Sequence, residues 1–156
     1  MKNKQIVAGE GIGEVKFGIT RPQLKKILGE PSEIEQYAYE DDEESQAECW
    51  HYDSLELSAS FEEEHDWKLV AIAVSSPEFT YKGESLIGSS EEELLDTLKT
   101  LGLKDLTVED LSTKETPDHK LVRSEDLDIN FWLDNGKLAE IQFAPLFDDD
   151  YNVVWP

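Results

Sequence analysis

Cys49 and His51 are the residues best placed by type and spacing to do chemistry. Two positions apart on a strand they share a face, which makes a thiolate–imidazole couple geometrically available. No Asn or Asp stands where it would orient the imidazole, and a buried, inert cysteine is the commoner state. His65 lies among Glu62, Glu63, Glu64 and Asp66, a set able to ligate a metal, although the same run reads as a solvated hairpin tip. Asp148, Asp149 and Asp150 offer carboxylates for calcium, but consecutive residues cannot all turn to one ion, and no EF-hand loop surrounds them. None of His51, His65 and His119 has a second His or Cys at zinc-ligand spacing. The early glycines, GEGIGEV, lack the Lys and Ser/Thr of a phosphate loop and read as a flexible lead-in. The expectation is a protein without catalytic residues, metal or cofactor. A deep pocket at Cys49 or His51 would point instead to an enzyme.

Charge narrows the class of partner. Among 156 residues, 36 acidic side chains face 14 basic ones, a formal charge of −22. Such a surface repels nucleic acid and anionic membranes and favours capture of a basic protein. Four Trp, five Tyr and six Phe supply enough apolar surface for a core. With Cys49 alone, an internal disulfide is impossible. The first fifteen residues carry no apolar run of signal-peptide length, and no later stretch could span a bilayer as a helix, so a cytoplasmic protein is expected.

The elements that must position these residues come in two similar sets. Thr20 is an N-cap, Pro22 suits the first turn, and Leu24, Ile27 and Leu28 give a helical apolar stripe that Gly29 and Pro31 end. Ser90 and Glu93 form a capping box before Leu94, Leu95, Leu98 and Leu101, with Gly102 as the stop. Aligning Gly18 with Gly88 gives an offset of 70 residues that also matches Thr20 to Ser90, Leu24 to Leu94 and Leu28 to Leu98. Further on, residues 55–77 resemble 127–145, with Lys68-Leu69 matching Lys137-Leu138. Asp134-Asn135-Gly136 is a hairpin signal. Strands are predicted at 33–39, 47–53, 55–61 and 67–75, then at 105–111, 119–124, 127–133 and 137–144. The acidic run Glu40 to Glu44 and the segment 112–118 read as loops, and Glu78 to Glu84 as a link. Val153, Val154 and Trp155 should dock on the body.

The fold expected from this pattern is α+β: two tandem repeats, 1–80 and 81–156, each a helix plus a four-stranded antiparallel sheet, with the helices on one face of a wide sheet. Alternation puts Leu127, Ile129, Phe131 and Leu133 on the buried face and Asp128, Asn130, Trp132 and Asp134 on the open one. Glu140 and Gln142 share that open face, as do Glu56, Ser58 and Ser60 in the first repeat. Of the alternating pairs Trp50/Tyr52 and Cys49/His51, the larger aromatics are expected in the core.

Gly18, Thr20, Leu24, Leu28, Gly29 and Pro31 spell a G-x-T motif followed by an x-L-x-x-x-L-G-x-P helix. With aromatic-rich strands behind it, this motif resembles the SmpA/OmlA and beta-lactamase-inhibitor-protein group. The resemblance implies short helices on four-stranded antiparallel sheets, duplicated in the inhibitors into a long sheet whose open concave face grips a partner protein. Because the motif is structural, it transfers no binding residue.

Together these features predict a non-enzymatic binding module that masks a basic partner, as an immunity protein masks a nuclease-type toxin. The alternative is an assembly or structural module similar to the SmpA/OmlA proteins. Partner binding is assigned to Trp132, Asp128, Asn130, Asp134, Glu140 and Gln142, with Glu56, Ser58 and Ser60 beside them. An exposed Trp among carboxylates suits a hot spot; the alternative is that Trp132 packs under the C-terminal tail against Trp155.

Overall fold

The structure is a computed structural model that describes residues 1–38 and 46–156, so the acidic run Glu40 to Glu44 lies outside the described residues. In chain order the elements are β1 (Gln5–Val7), β2 (Gly11–Ile12), β3 (Val15–Lys16), α1 (Arg21–Leu28), β4 (Glu33–Ala38), β5 (Gln46–Tyr52), β6 (Leu57–Glu62) and β7 (Lys68–Val74). They continue as β8 (Thr80–Tyr81), β9 (Glu84–Ser85), α2 (Glu91–Thr100), β10 (Leu106–Asp110), β11 (His119–Ser124), β12 (Ile129–Asp134), β13 (Lys137–Phe143), β14 (Leu146–Phe147) and β15 (Val153–Val154).

The expected α+β pair of helix-plus-four-strand repeats is corrected by this architecture. The chain is mostly β, and its two helices span only eight and ten residues. Strands β4 to β7 and β10 to β13 do not stand as two self-contained helix-plus-sheet units. They merge into one eight-stranded sheet of order β10-β11-β12-β13-β7-β6-β5-β4. Nor do helices alone cover its apolar side. A separate five-stranded sheet, β3-β2-β1-β8-β9, contributes Ile6, Ile12, Val15 and Tyr81 to the same core, with Phe17 and Phe79 flanking its strands.

That second sheet is made from the supposed flexible lead-in and the supposed link. The lead-in is ordered because its few apolar residues are buried, with Ile12 and Val15 wholly inaccessible. Strand β1 pairs in parallel with β8, Gln5 opposite Thr80. Phe17 meets Phe143 of the large sheet edge-on, at 5.4 Å between ring centroids.

Local rules account for the helices. Thr20 and Gln23 form a reciprocal capping box on α1, as Ser90 and Glu93 do on α2. Each helix is stitched to the large sheet just before its cap. Gly18 donates to the Leu69 carbonyl and Leu69 to that of Ile19; Gly88 donates to the Leu138 carbonyl and Leu138 to that of Ser89. Strands β7 and β13 each carry an extra residue at matching places, Val70 opposite the Ser60–Phe61 step of β6 and Ala139 opposite the Trp132–Leu133 step of β12. Alternation holds in the large sheet, where Leu57, Ala59, Phe61, Ile129, Phe131 and Leu133 are buried. Trp50 and Tyr52 are buried too, leaving Cys49 and His51 on the other face.

The tail docks through Trp155, while Val154 stays about half exposed. Lys68 lies over the Trp155 ring at 5.3 Å, and His65 meets its edge at 6.2 Å. Gly18, at φ +93°, sits under the same ring, where a Cβ would come within 2.9 Å of it.

A polar tether joins each helix to its half of the sheet, with the charges reversed. Arg21 donates to Glu48 at 2.8 Å, and its guanidinium lies 4.3 Å from the Trp67 ring centroid. In the second half Lys120 meets Glu91 at 3.3 Å. Glu48 is buried and also accepts from the Trp50 indole. Arg21→Ala therefore leaves a buried carboxylate short of a donor and should cost about 2 kcal/mol. Glu91→Ala breaks a more accessible pair and should cost under about 1 kcal/mol. Urea denaturation of both variants checks this, and equal losses would refute the asymmetry.

Candidate functional site

The face of the large sheet turned away from the core carries a shallow trough. It follows from the side chains on the four middle strands. On β6 and β7 this face presents Ser58, Ser60, Ala71 and Ala73, all small. On β12 and β13 it presents Asn130, Trp132, Glu140 and Gln142. The small residues are the floor, Trp132, Glu140 and Gln142 are one wall, and Glu35, Tyr37, Cys49 and His51 from β4 and β5 line the opposite side. Toward the start of β6 a second depression continues the first, sharing Ser58, Ala73 and Glu140 and reaching Glu56. Glu140 thus borders both.

Trp132 is held firmly. Its indole N–H donates to the Gln142 side-chain oxygen at 3.3 Å, and His119 stacks on it at 5.5 Å with 14° between planes. Its cross-strand partners are Leu121 and Glu140. Trp155 lies elsewhere, beside Gly18 and Lys68, so the tail does not cover Trp132.

Desolvation raises the carboxyl of the half-buried Glu140 above its usual range. Burial likewise raises Asp128, with Arg123 pulling partly the other way. The Cys49 thiol is pushed up by burial first, with Ser60 opposing and Glu35 and then Glu140 adding to the rise. Two carboxylates therefore act on this thiol from strands on either side. The His51 Nδ1 engages the Ser58 hydroxyl at 2.8 Å, whereas the Cys49 sulfur is 4.0 Å away, and Glu35 lies 3.8 Å from Nε2. A thiol kept protonated, beyond the roughly 2.6–3.2 Å reach of a base, is not an activated nucleophile.

The residues assigned from the sequence are not all in the trough. Trp132, Glu140, Gln142, Ser58 and Ser60 line it. Asn130 is one step along β12 and accepts from the Arg123 Nε at 3.1 Å. Asp134 ends the strand, exposed and opposite His119. Glu56 and Asp128 precede β6 and β12 in turns, at φ +53° and +51°, so strand alternation does not apply to them. Tyr37 and Glu35 were missed as binding residues, though EIEQYA alternates enough to show them sharing a face. His119 was weighed only as a metal ligand, and nothing local signals its stacking on Trp132.

The other acidic groups stay apart from this trough. Glu62, Glu64 and His65 bring one ligand atom each to within 4.8 Å of one another at the short helical turn before β7. Asp148 accepts from the backbone N–H groups of Asp150 and Asn152, both at 2.9 Å, so it shapes its own turn.

Fold and site together define a mostly-β protein with a broad sheet face left open and acidic. No family model and no curated protein matches the chain. Among solved structures it is similar to the crystal structure of an extracellular protein containing a SCP domain from Bacillus anthracis, at 21% identity and a TM-score of 0.46. The match covers 89% of this chain and 48% of that one, about half its length. That protein is described as extracellular, against the cytoplasmic location expected from the sequence, and that expectation is withdrawn. At this level of similarity the overlay assigns the present chain to no compartment and to no activity.

Two outcomes check the electrostatics. The raised Glu140 carboxyl holds its proton more tightly folded than unfolded, so stability falls as pH rises from the ordinary glutamate value through the raised one. The titratable groups lining the trough with it are Glu35, Tyr37, Cys49 and His51, and Arg123, His119 and Asp134 lie further along the same face. Glu140→Gln should therefore melt higher than the parent at neutral pH and equal to it below the carboxylate range. An unchanged neutral-pH melting temperature would contradict the assignment. Cys49 should react with iodoacetamide at neutral pH about tenfold or more slower than free cysteine, and a rate above that of free cysteine would restore the Cys–His reading.

Proposed function

We propose that this chain is a non-enzymatic protein-binding module whose open sheet face masks a basic partner protein, with neutralisation of a nuclease-type toxin as the specific case. One observation carries the reading: a firmly held, partly exposed tryptophan stands beside a partly desolvated carboxylate in a trough on an otherwise open sheet face. Anchors of this kind, ringed by polar groups, concentrate binding energy. The formal charge of −22 adds long-range attraction for a basic protein and suits competition with a nucleic-acid backbone. The raised Cys49 thiol speaks against the thiolate enzyme that the sequence left open.

The test uses the tagged chain as bait at low salt, followed by titration of the purified captured protein. A basic protein should be recovered, its affinity should fall as salt rises, and Trp132→Ala should cost about 2 kcal/mol or more, roughly 30-fold. Failure to recover any basic protein, or binding unaffected by both Trp132→Ala and Glu140→Gln, would overturn the reading.

A further inference from the structure

We infer that the trough between Trp132 and Glu140 is a receptor for one arginine side chain of the protein partner. The inference rests on the reading of this face as a protein-docking surface and names the chemical group that it takes. The starting point is the register of the sheet. Trp132 and Glu140 are direct cross-strand partners on β12 and β13, so an indole and a carboxylate stand side by side on the open face. The same trio of groups occurs complete on the other face. There the Arg21 guanidinium lies 4.3 Å from the Trp67 ring centroid and donates to the Glu48 carboxylate at 2.8 Å. A flat cation between an aromatic face and a carboxylate satisfies both at once, through cation–π attraction and charge-assisted hydrogen bonds. The open face sets the same ring and carboxylate groups side by side.

The lining of the trough suits a cation. Among the described residues that form the trough there is no lysine or arginine. The nearest arginine along β12, Arg123, is engaged by Asn130. Among the described residues Glu140 makes no ion pair, and desolvation is the cause of the displacement of its carboxyl. Ser58 and Ser60 on the floor add hydroxyls that can accept, and Glu35 on the far side adds negative charge at longer range. Ala71 and Ala73 leave room below the rim that larger residues would fill. A guanidinium fits this set better than an ammonium. It is planar, stacks on an indole, and offers several donors in one plane to a carboxylate and to neighbouring hydroxyls at once. An ammonium is a compact, strongly hydrated charge and gives up more on entering a half-dry trough. The bonding of Trp132 to Gln142 and its stacking on His119 fix the ring before the ligand arrives, which lowers the ordering cost of binding.

The test is a titration of the ¹⁵N-labelled chain with N-acetyl-arginine methylamide, followed through its tryptophan indole N–H signals. N-acetyl-lysine methylamide serves as the matched control. The Trp132 signal, assigned by its loss in Trp132→Phe, should shift saturably with millimolar affinity. The lysine derivative should bind about threefold or more weaker, and Glu140→Gln should weaken arginine binding about tenfold. Glu140→Gln removes a desolvated charge without removing bulk, so its backbone amide spectrum should report an intact fold. A Trp132 signal that does not respond, or responds equally in Glu140→Gln, overturns the site. An equal response to the lysine derivative overturns the choice of guanidinium. The outcome is separable from that of the protein-masking reading. Capture of a basic protein that depends on Trp132, with no arginine response, removes this inference alone. A Glu140-dependent arginine response with no protein partner removes the masking reading alone.

Discussion

Three residues of β7, Ile72 to Val74, hydrogen-bond antiparallel to three of β13, Ile141 to Phe143, and the rest of the molecule hangs on that join. Without it the chain would hold two four-stranded meanders, each with an additional edge. With it there is one sheet whose middle strands bury Leu69, Ile72, Val74, Leu138, Ile141 and Phe143 on a single side. The two helices, the five-stranded sheet and the tail share that side as one core. The outer strands of the combined sheet carry Glu33 and Glu35 at one edge and Glu109 and Asp110 at the other, charges that discourage edge-to-edge addition.

The join also creates the trough. The two halves of the sheet have the same bulge, the same stitch to a helix cap and a matching tether, yet their open faces differ in side-chain size. Ser60 and Ala71 occupy in the first half the places that Trp132 and Glu140 occupy in the second. A small-residue floor set beside a large-residue wall makes a depression where two similar floors would make a flat surface. The divergence of the halves on this face, combined with their likeness on the core face, separates the residues that hold the fold from those free to bind. Glu140 illustrates the difference: a carboxylate half withdrawn from water disfavours its own ionisation, a cost that core packing elsewhere offsets.

Much of the large sheet was legible in the sequence. The eight strands begin and end within about two residues of where alternation puts them. Both N-caps and the Ser90–Glu93 capping box, the burial of Trp50 and Tyr52, and the open-face position of Trp132 and Gln142 follow from local pattern. The small sheet was not legible. Its strands are two or three residues long, too short for a period to register, and its central pairing joins Gln5 to Thr80. Glu56 and Asp128 were misplaced because alternation was extended one residue into turns of positive φ.

What the sequence determined by itself is therefore local: where strands and helices start and stop, which side of each strand is apolar, and the sign of the surface charge. These depend on neighbours along the chain, on backbone sterics and on a simple count of ionisable groups. Only the tertiary structure decided that Glu140 stands beside an alanine floor, that His119 stacks on Trp132, and that two carboxylates from different halves act on Cys49. Those meetings require β7 to pair with β13, residues far apart in sequence. Closing so long a loop is favourable only when both halves bury one common core.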